Sequence, residues 1–167
     1  GEATVSARMT PMLTGVGLLD AVSDESILAN VDAGDADGDG ISGRVNMVWD
    51  RTIGAEAIGR FGWKASQPSL LQQTNKAFNR DMGMTPPLYP QQDCGDEQPE
   101  CDDGSFVPEL PMAEVQLVEE YLTGLVPPPR INHETSDAIA GMHLFKAANC
   151  QACHVPTLQA RVDHPIK

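Results

Sequence analysis

Cys150-Gln151-Ala152-Cys153-His154 is the stretch on which the reading of this chain turns. In a Cys-X-X-Cys-His run two thiols stand close enough to form thioethers with the two vinyl groups of one haem, and the adjoining imidazole reaches the iron from the same side. The run therefore predicts haem c bound covalently through Cys150 and Cys153, with His154 as the proximal iron ligand. A thioredoxin-like redox pair and half of a zinc site use the same cysteine spacing. The first needs a strand before the motif in a βαβ pattern, and the second needs two more ligands as a further knuckle. Neither context is legible here. Thr135 or Ser136 can instead cap a helix over about 137–147 that delivers the chain to Cys150.

Working outward, Val126-Pro127-Pro128-Pro129-Arg130 reads as a stiff linker, because consecutive prolines favour extended backbone and refuse helix. It divides the chain into residues 1–126, a linker 127–132 and residues 133–167. Before it, Val115, Val118, Tyr121, Leu122 and Leu125 mark one face of a helix that follows Pro111, with Gly124 helping to end it. Leu70, Leu71, Thr74, Ala77 and Phe78 predict another over 69–81, with Pro68 in its first turn. A short helix starts at Ser23 or Asp24. Val45, Met47 and Trp49 alternate with polar neighbours, and Arg60-Phe61-Gly62-Trp63 follows a glycine-rich turn, so residues 44–65 suit two short strands or a loose hairpin. The expected fold is mainly α, with a small β element and long loops.

With 24 acidic against 11 basic residues, the formal charge of -13 disfavours nucleic acid and anionic membranes as partners. A basic partner protein suits it better. No stretch reaches the roughly 18 to 20 apolar residues of a membrane-spanning helix. The first residues also lack the basic start and apolar run of a signal peptide, as a mature product or an excised piece would.

Cys94 and Cys101 lie in a polar, turn-rich stretch without a nearby histidine, which reads as a disulfide staple; two free exposed thiols are the alternative. A disulfide implies an oxidising compartment, periplasmic or otherwise extracytoplasmic. Asp35, Asp37 and Asp39 alternate before Gly40 as in the opening half of an EF-hand loop. In that frame Ile41 offers a backbone carbonyl, and Asn46 stands where a chelating Glu normally closes the loop. Calcium binding is then weak, or is completed by Asp32 or Asp50. The alternative is an acidic surface turn.

Further runs widen the picture: Gly17-Leu18-Leu19-Asp20-Ala21-Val22, Asp35 through Arg44, Gly59-Arg60-Phe61-Gly62-Trp63-Lys64-Ala65, Gln67-Pro68-Ser69-Leu70 and Asp81-Met82-Gly83. Together with the Cys-X-X-Cys-His run they resemble the bacterial di-haem oxidoreductases, labelled thiol oxidoreductases or di-haem cytochrome c peroxidase-like proteins. Gly141, Leu144 and Phe145 also precede the motif as a glycine and an apolar pair do in many cytochromes c. The resemblance implies two cytochrome c-type domains in one exported chain, each with its own haem motif. Against that pattern the sequence lacks an upstream motif and ends soon after the downstream one. A fragment is expected, running from the later part of the first domain into the opening of the second.

The resemblance also suggests Met82 as a distal ligand of the missing first haem; an ordinary helix-end residue is the plain alternative. His164 could approach iron, whereas His133 and His143 are expected at the surface or a helix end. Trp49 and Trp63 read as core rather than as an electron relay, and Arg60 and Lys64 could meet haem propionates. Three functions remain in view. One is a peroxidase-like oxidoreductase acting on a small oxidant such as peroxide. The others are a non-catalytic electron-transfer cytochrome c and a calcium-stabilised scaffold. The thiol-oxidoreductase label finds no residues to carry it, because haem claims the one Cys-X-X-Cys pair.

Overall fold

The computed structural model describes residues 5, 7, 9–95, 98–101, 104 and 107–164. Among them are five α-helices and one two-stranded sheet, so the regular structure is mainly helical. The helices are α1 (Val16–Ala21), α2 (Asp24–Leu28), α3 (Leu70–Met82), α4 (Met112–Thr123) and α5 (Ser136–Ala147). None is long and apolar enough to cross a membrane. Strands β1 (Met47–Asp50) and β2 (Ala55–Ile58) pair antiparallel, with Met47 opposite Ile58 and Asp50 opposite Ala55.

The helix limits follow from local chemistry. Ser23, Ser69 and Thr135 each accept a hydrogen bond from the amide three residues on, at the starts of α2, α3 and α5. Pro68 precedes the Ser69 cap instead of standing in the first turn. α3 stops where Gly83 takes φ 68°, letting Met84 N–H donate back to Phe78 O at 3.0 Å. Gly124 does end α4, but with ordinary right-handed angles.

α3 is the central element and packs on α4 and α1. Its inward face is polar. Gln72, Thr74, Asn75 and Asn79 are buried there beside Leu70, and each amide or hydroxyl has a partner. Gln72 Nε2 donates to Trp49 O and to Gln67 Oε1, both at 3.0 Å, and Gln72 Oε1 accepts from Arg51 N–H at 2.7 Å. Burying an amide costs little once its hydrogen bonds are replaced, and among the described residues no buried side-chain polar atom lacks one. The apolar core beside this face is small: Ala21, Val22, Ile58, Phe61, Leu70, Leu110 and Val115.

Three sequence expectations shift. The hairpin partner of β1 is β2, not Arg60–Trp63, which forms a turn closed by the Phe61–Gln67 bridge. In β1 the inward residues are Val48 and Asp50, so Met47 and Trp49 face out. Trp49 and Trp63 are therefore exposed, at 58% and 69%, and neither is core. The hairpin meets α3 through Gln72, which bonds Trp49 O and Arg51 N–H, and among the described residues its Met47 and Trp49 side is left exposed. Gly59 is needed at the hairpin's exit, because a Cβ there would overlap Ala65 O.

On α4, Val115 is fully buried while Tyr121 is 67% exposed. The inward positions run Val115, Glu119, Leu122, which puts a carboxylate where the apolar spacing had suggested Val118. Burial, and then the nearby Asp20 charge, raises the Glu119 pKa above its ordinary 4.5. Between 4.5 and that raised value the folded chain binds more protons than the unfolded one, so stability falls as pH rises through the window. Glu119→Gln should therefore raise the melting temperature at pH 7, and the gain should vanish below pH 4.5. Equal melting temperatures at pH 7 would contradict this placement of Glu119.

Candidate functional site

α5 is capped at Ala148, whose N–H donates to Leu144 O at 2.8 Å, and the chain reverses at Asn149 with φ 56°. Asparagine tolerates this left-handed conformation better than most residues with a Cβ. A single 3-10 turn follows over Cys150–Ala152. Cys150 O accepts from Cys153 N–H at 3.3 Å and from His154 N–H at 2.9 Å, so the two cysteines and the histidine stand on one tight turn.

Both thiols are free, Cys150 partly buried and Cys153 exposed. They are not joined to each other. The His154 ring is exposed and meets Phe145 of α5 edge-on, with ring centres 5.9 Å apart. Ile139, Met142, Leu144 and Phe145 expose apolar surface along α5. Among the described residues, the metal-ligating groups that converge are Asp32, Asp35 and Asp37, not the cysteine turn with two further ligands. A zinc quartet is thus not assembled around Cys150 and Cys153. Two free thiols one turn apart beside an exposed imidazole form a donor set that suits thioether formation and axial ligation of one haem.

The segment after this turn is anchored far upstream. Val22 and Ala160 form an antiparallel bridge, Ser23 N–H donates to Gln159 O at 2.8 Å, and Arg161 N–H donates to Ala21 O at 2.7 Å. Asp20 holds the same place from its side chain. Its Oδ2 lies 3.3 Å from His164 Nε2 and 3.6 Å from an Arg161 guanidinium nitrogen, while Oδ1 accepts from Leu70 N–H at 3.2 Å. His164 is buried against this carboxylate, so the histidine expected near iron is engaged in fastening the chain.

The remaining candidates separate. Cys94 and Cys101 are joined, with Cα atoms 5.8 Å apart. Met82 ends α3 and is 63% exposed. His133 is exposed, with Nδ1 3.3 Å from Arg130 O, and His143 is exposed on α5. In the aspartate loop Asp32, Asp35 and Asp37 each place an oxygen within 4.8 Å of the others. Asp39 instead accepts from Ile41 N–H at 2.8 Å, and Asn46 Nδ2 donates to Lys64 O and Ala65 O at 3.0 and 3.1 Å. Asp50 is buried in the hairpin turn and accepts from Thr52. The carboxylates that converge are thus Asp35 and Asp37 with Asp32, the residue that counting from Asp35 had left as an auxiliary.

Lys64 is exposed, but Arg60 is not available to an outside anion. Its side chain is 5% exposed, pairs with Asp24 and donates to Val22 O at 2.6 Å. It clamps α2 to the turn before α3.

A sequence profile described as "di-haem oxidoreductase, putative peroxidase" matches residues 2–167, and the chain belongs to that family. Family membership places this mainly helical chain, with its thiol–imidazole turn, among haem-type redox proteins. No curated protein matches, and no solved structure does. Haem is the cofactor that membership implies.

Replacing Arg60 by Met should cost about 1–3 kcal/mol, the usual penalty for stranding a buried carbonyl and one end of an ion pair. Urea unfolding checks this, and a loss within error of zero would show that the clamp is not needed.

Proposed function

We propose that Cys150 and Cys153 carry one c-type haem, with His154 as its proximal iron ligand, and that the chain is part of a cytochrome c-like, peroxidase-like di-haem oxidoreductase. The observation that carries this reading is the single turn presenting two free thiols and an exposed imidazole. Bound haem supplies one-electron redox chemistry. The chain's own part is to fix the iron's near side. Phe145 braces the His154 ring edge-on, and the exposed apolar residues of α5 offer surface for a porphyrin and the rest of a pocket. Residues 1–126 then form the later part of a first haem domain, in which Met82 at the end of α3 is the distal ligand. Residues 133–167 open the second domain.

An extracytoplasmic location, periplasmic in a bacterium, follows from the same reading. Thioether haem and the Cys94–Cys101 disulfide both belong to an oxidising compartment. The charge of -13 favours a basic redox partner, with peroxide or a similar small oxidant as the acceptor. Calcium enters at Asp32, Asp35 and Asp37 as a structural ion, supported by the convergence of their oxygens.

Two measurements test this. In the haem-loaded protein, a high-spin iron that reacts with peroxide supports the oxidoreductase. Low-spin, peroxide-inert iron at every haem would reduce the protein to an electron carrier. His154→Ala should abolish the proximal ligand's spectral signature while leaving the thioethers; an unchanged spectrum would remove His154 from the iron. For calcium, millimolar additions should raise the melting temperature of the parent and not of Asp37→Asn. No rise in the parent would exclude a structural ion.

A further inference from the structure

Away from the cysteine turn, a chain with 24 acidic and 11 basic residues gathers three cations around one cavity. The cavity, about 280 Å³, lies between α3 and the stretch 89–93 that leads to Cys94. Lys76 and Arg80 stand one turn apart on α3, and Arg51 reaches in from the turn after β1. The Arg51 guanidinium sits over the Tyr89 ring, 4.4 Å from its centre, and donates to Leu88 O at 3.2 Å. The far wall is held in place as well, because Asn79 Nδ2 donates to Gln91 O at 2.9 Å.

Among the described residues one carboxylate answers these charges. Asp93 pairs with Arg80 Nε at 2.9 Å, while among the described residues neither Arg51 nor Lys76 has an ion-pair partner. Like charges at i and i+4 on a helix destabilise it, and a third cation opposite adds to that cost. Lys76 registers the crowding. Its pKa is held below the ordinary lysine value by burial first and then by Arg80, with Arg51 adding a smaller push and Asp93 opposing. A bound anion would relieve the repulsion, and converging guanidinium and ammonium donors suit a tetrahedral oxyanion.

We propose that this cavity binds a phosphate group, as the free ion or on a small ester, through Arg51, Lys76 and Arg80. The site involves no haem ligand, so it stands or falls apart from the redox reading. Tyr89 and Pro90 in the lining offer apolar surface to a small organic portion beside the phosphate.

The test is calorimetric titration of the purified protein with inorganic phosphate and, separately, with glycerol phosphate, at an ionic strength near 0.15 M, where diffuse surface attraction is largely screened. Saturable one-to-one binding of either is expected. A free-ion site gives equal affinities, and an ester site gives tighter binding of glycerol phosphate. Lys76→Gln should weaken binding about tenfold, the usual scale for one charge-assisted hydrogen bond. Asp93→Asn, which removes the competing carboxylate, should tighten it, and a merely structural cluster would not produce that gain. Both variants should keep the parent's circular dichroism. Absence of saturable binding to the parent, or the same affinity in Lys76→Gln, would overturn the proposal.

Discussion

The Asp20 carboxylate is the joint on which the two ends of this structure meet. One oxygen accepts from the first amide of α3, and the other faces Arg161 and His164. A helix start offers unsatisfied N–H groups and a partial positive charge, so a carboxylate there is favourable by itself. The same group then fixes the segment that follows the cysteine turn, sequence neighbours being more than a hundred residues away. The backbone bridge at Val22 and Ala160 runs beside it and shares the load. Together the carboxylate and the backbone bridge give α5 and the Cys150 turn a second tie to the remaining helices, besides the proline stretch.

That arrangement explains the contrast between the two parts of the molecule. α3 is packed along its buried face, where the amides of Gln72 and Asn79 are matched by carbonyls of Trp49 in β1 and of Tyr89 and Gln91 beyond the helix. α5 is exposed along its length and is held chiefly by the turn that ends it. Apart from the Phe145 contact with His154, its apolar residues stand open to water, and covering them with a porphyrin would remove area from water at roughly 25 cal/mol per Å². In the proposed function the cofactor supplies what the helix lacks. The thiols need no rearrangement of pairing first, because they are free.

Much of the skeleton was legible from local signals. Ser69 and Gly83 bracket α3, Thr135 caps α5, and Ser23 caps α2, since these residues act on backbone groups within their own turn. The faces were less legible. Apolar spacing pointed to Ala77 and Phe78 on α3, yet Gln72, Asn75 and Asn79 are buried: carbonyls outside the helix satisfy Gln72 and Asn79, and Asn75, which donates to Leu71 O one turn back, accepts from Leu88 N–H, so no short window contains all the partners. Helix α1 escaped notice for a related reason: six residues opened by Gly15 carry little periodicity. The cysteine turn was the clearest part of the site, its chemistry being packed into five consecutive residues. The Arg51, Lys76 and Arg80 cavity was invisible, as its members come from separate elements brought together only by folding. Asp32 joined the aspartate group because the loop turns back at Asp35, where φ is 50°.

The most direct measurement is the intact mass of the chain after expression alongside a haem-attachment system. Covalent attachment predicts the polypeptide mass plus one haem, retained after acid denaturation, and its loss when Cys150 and Cys153 are both replaced by Ala. A bare polypeptide mass, or one lighter by the two hydrogens of a Cys150–Cys153 disulfide, would contradict it.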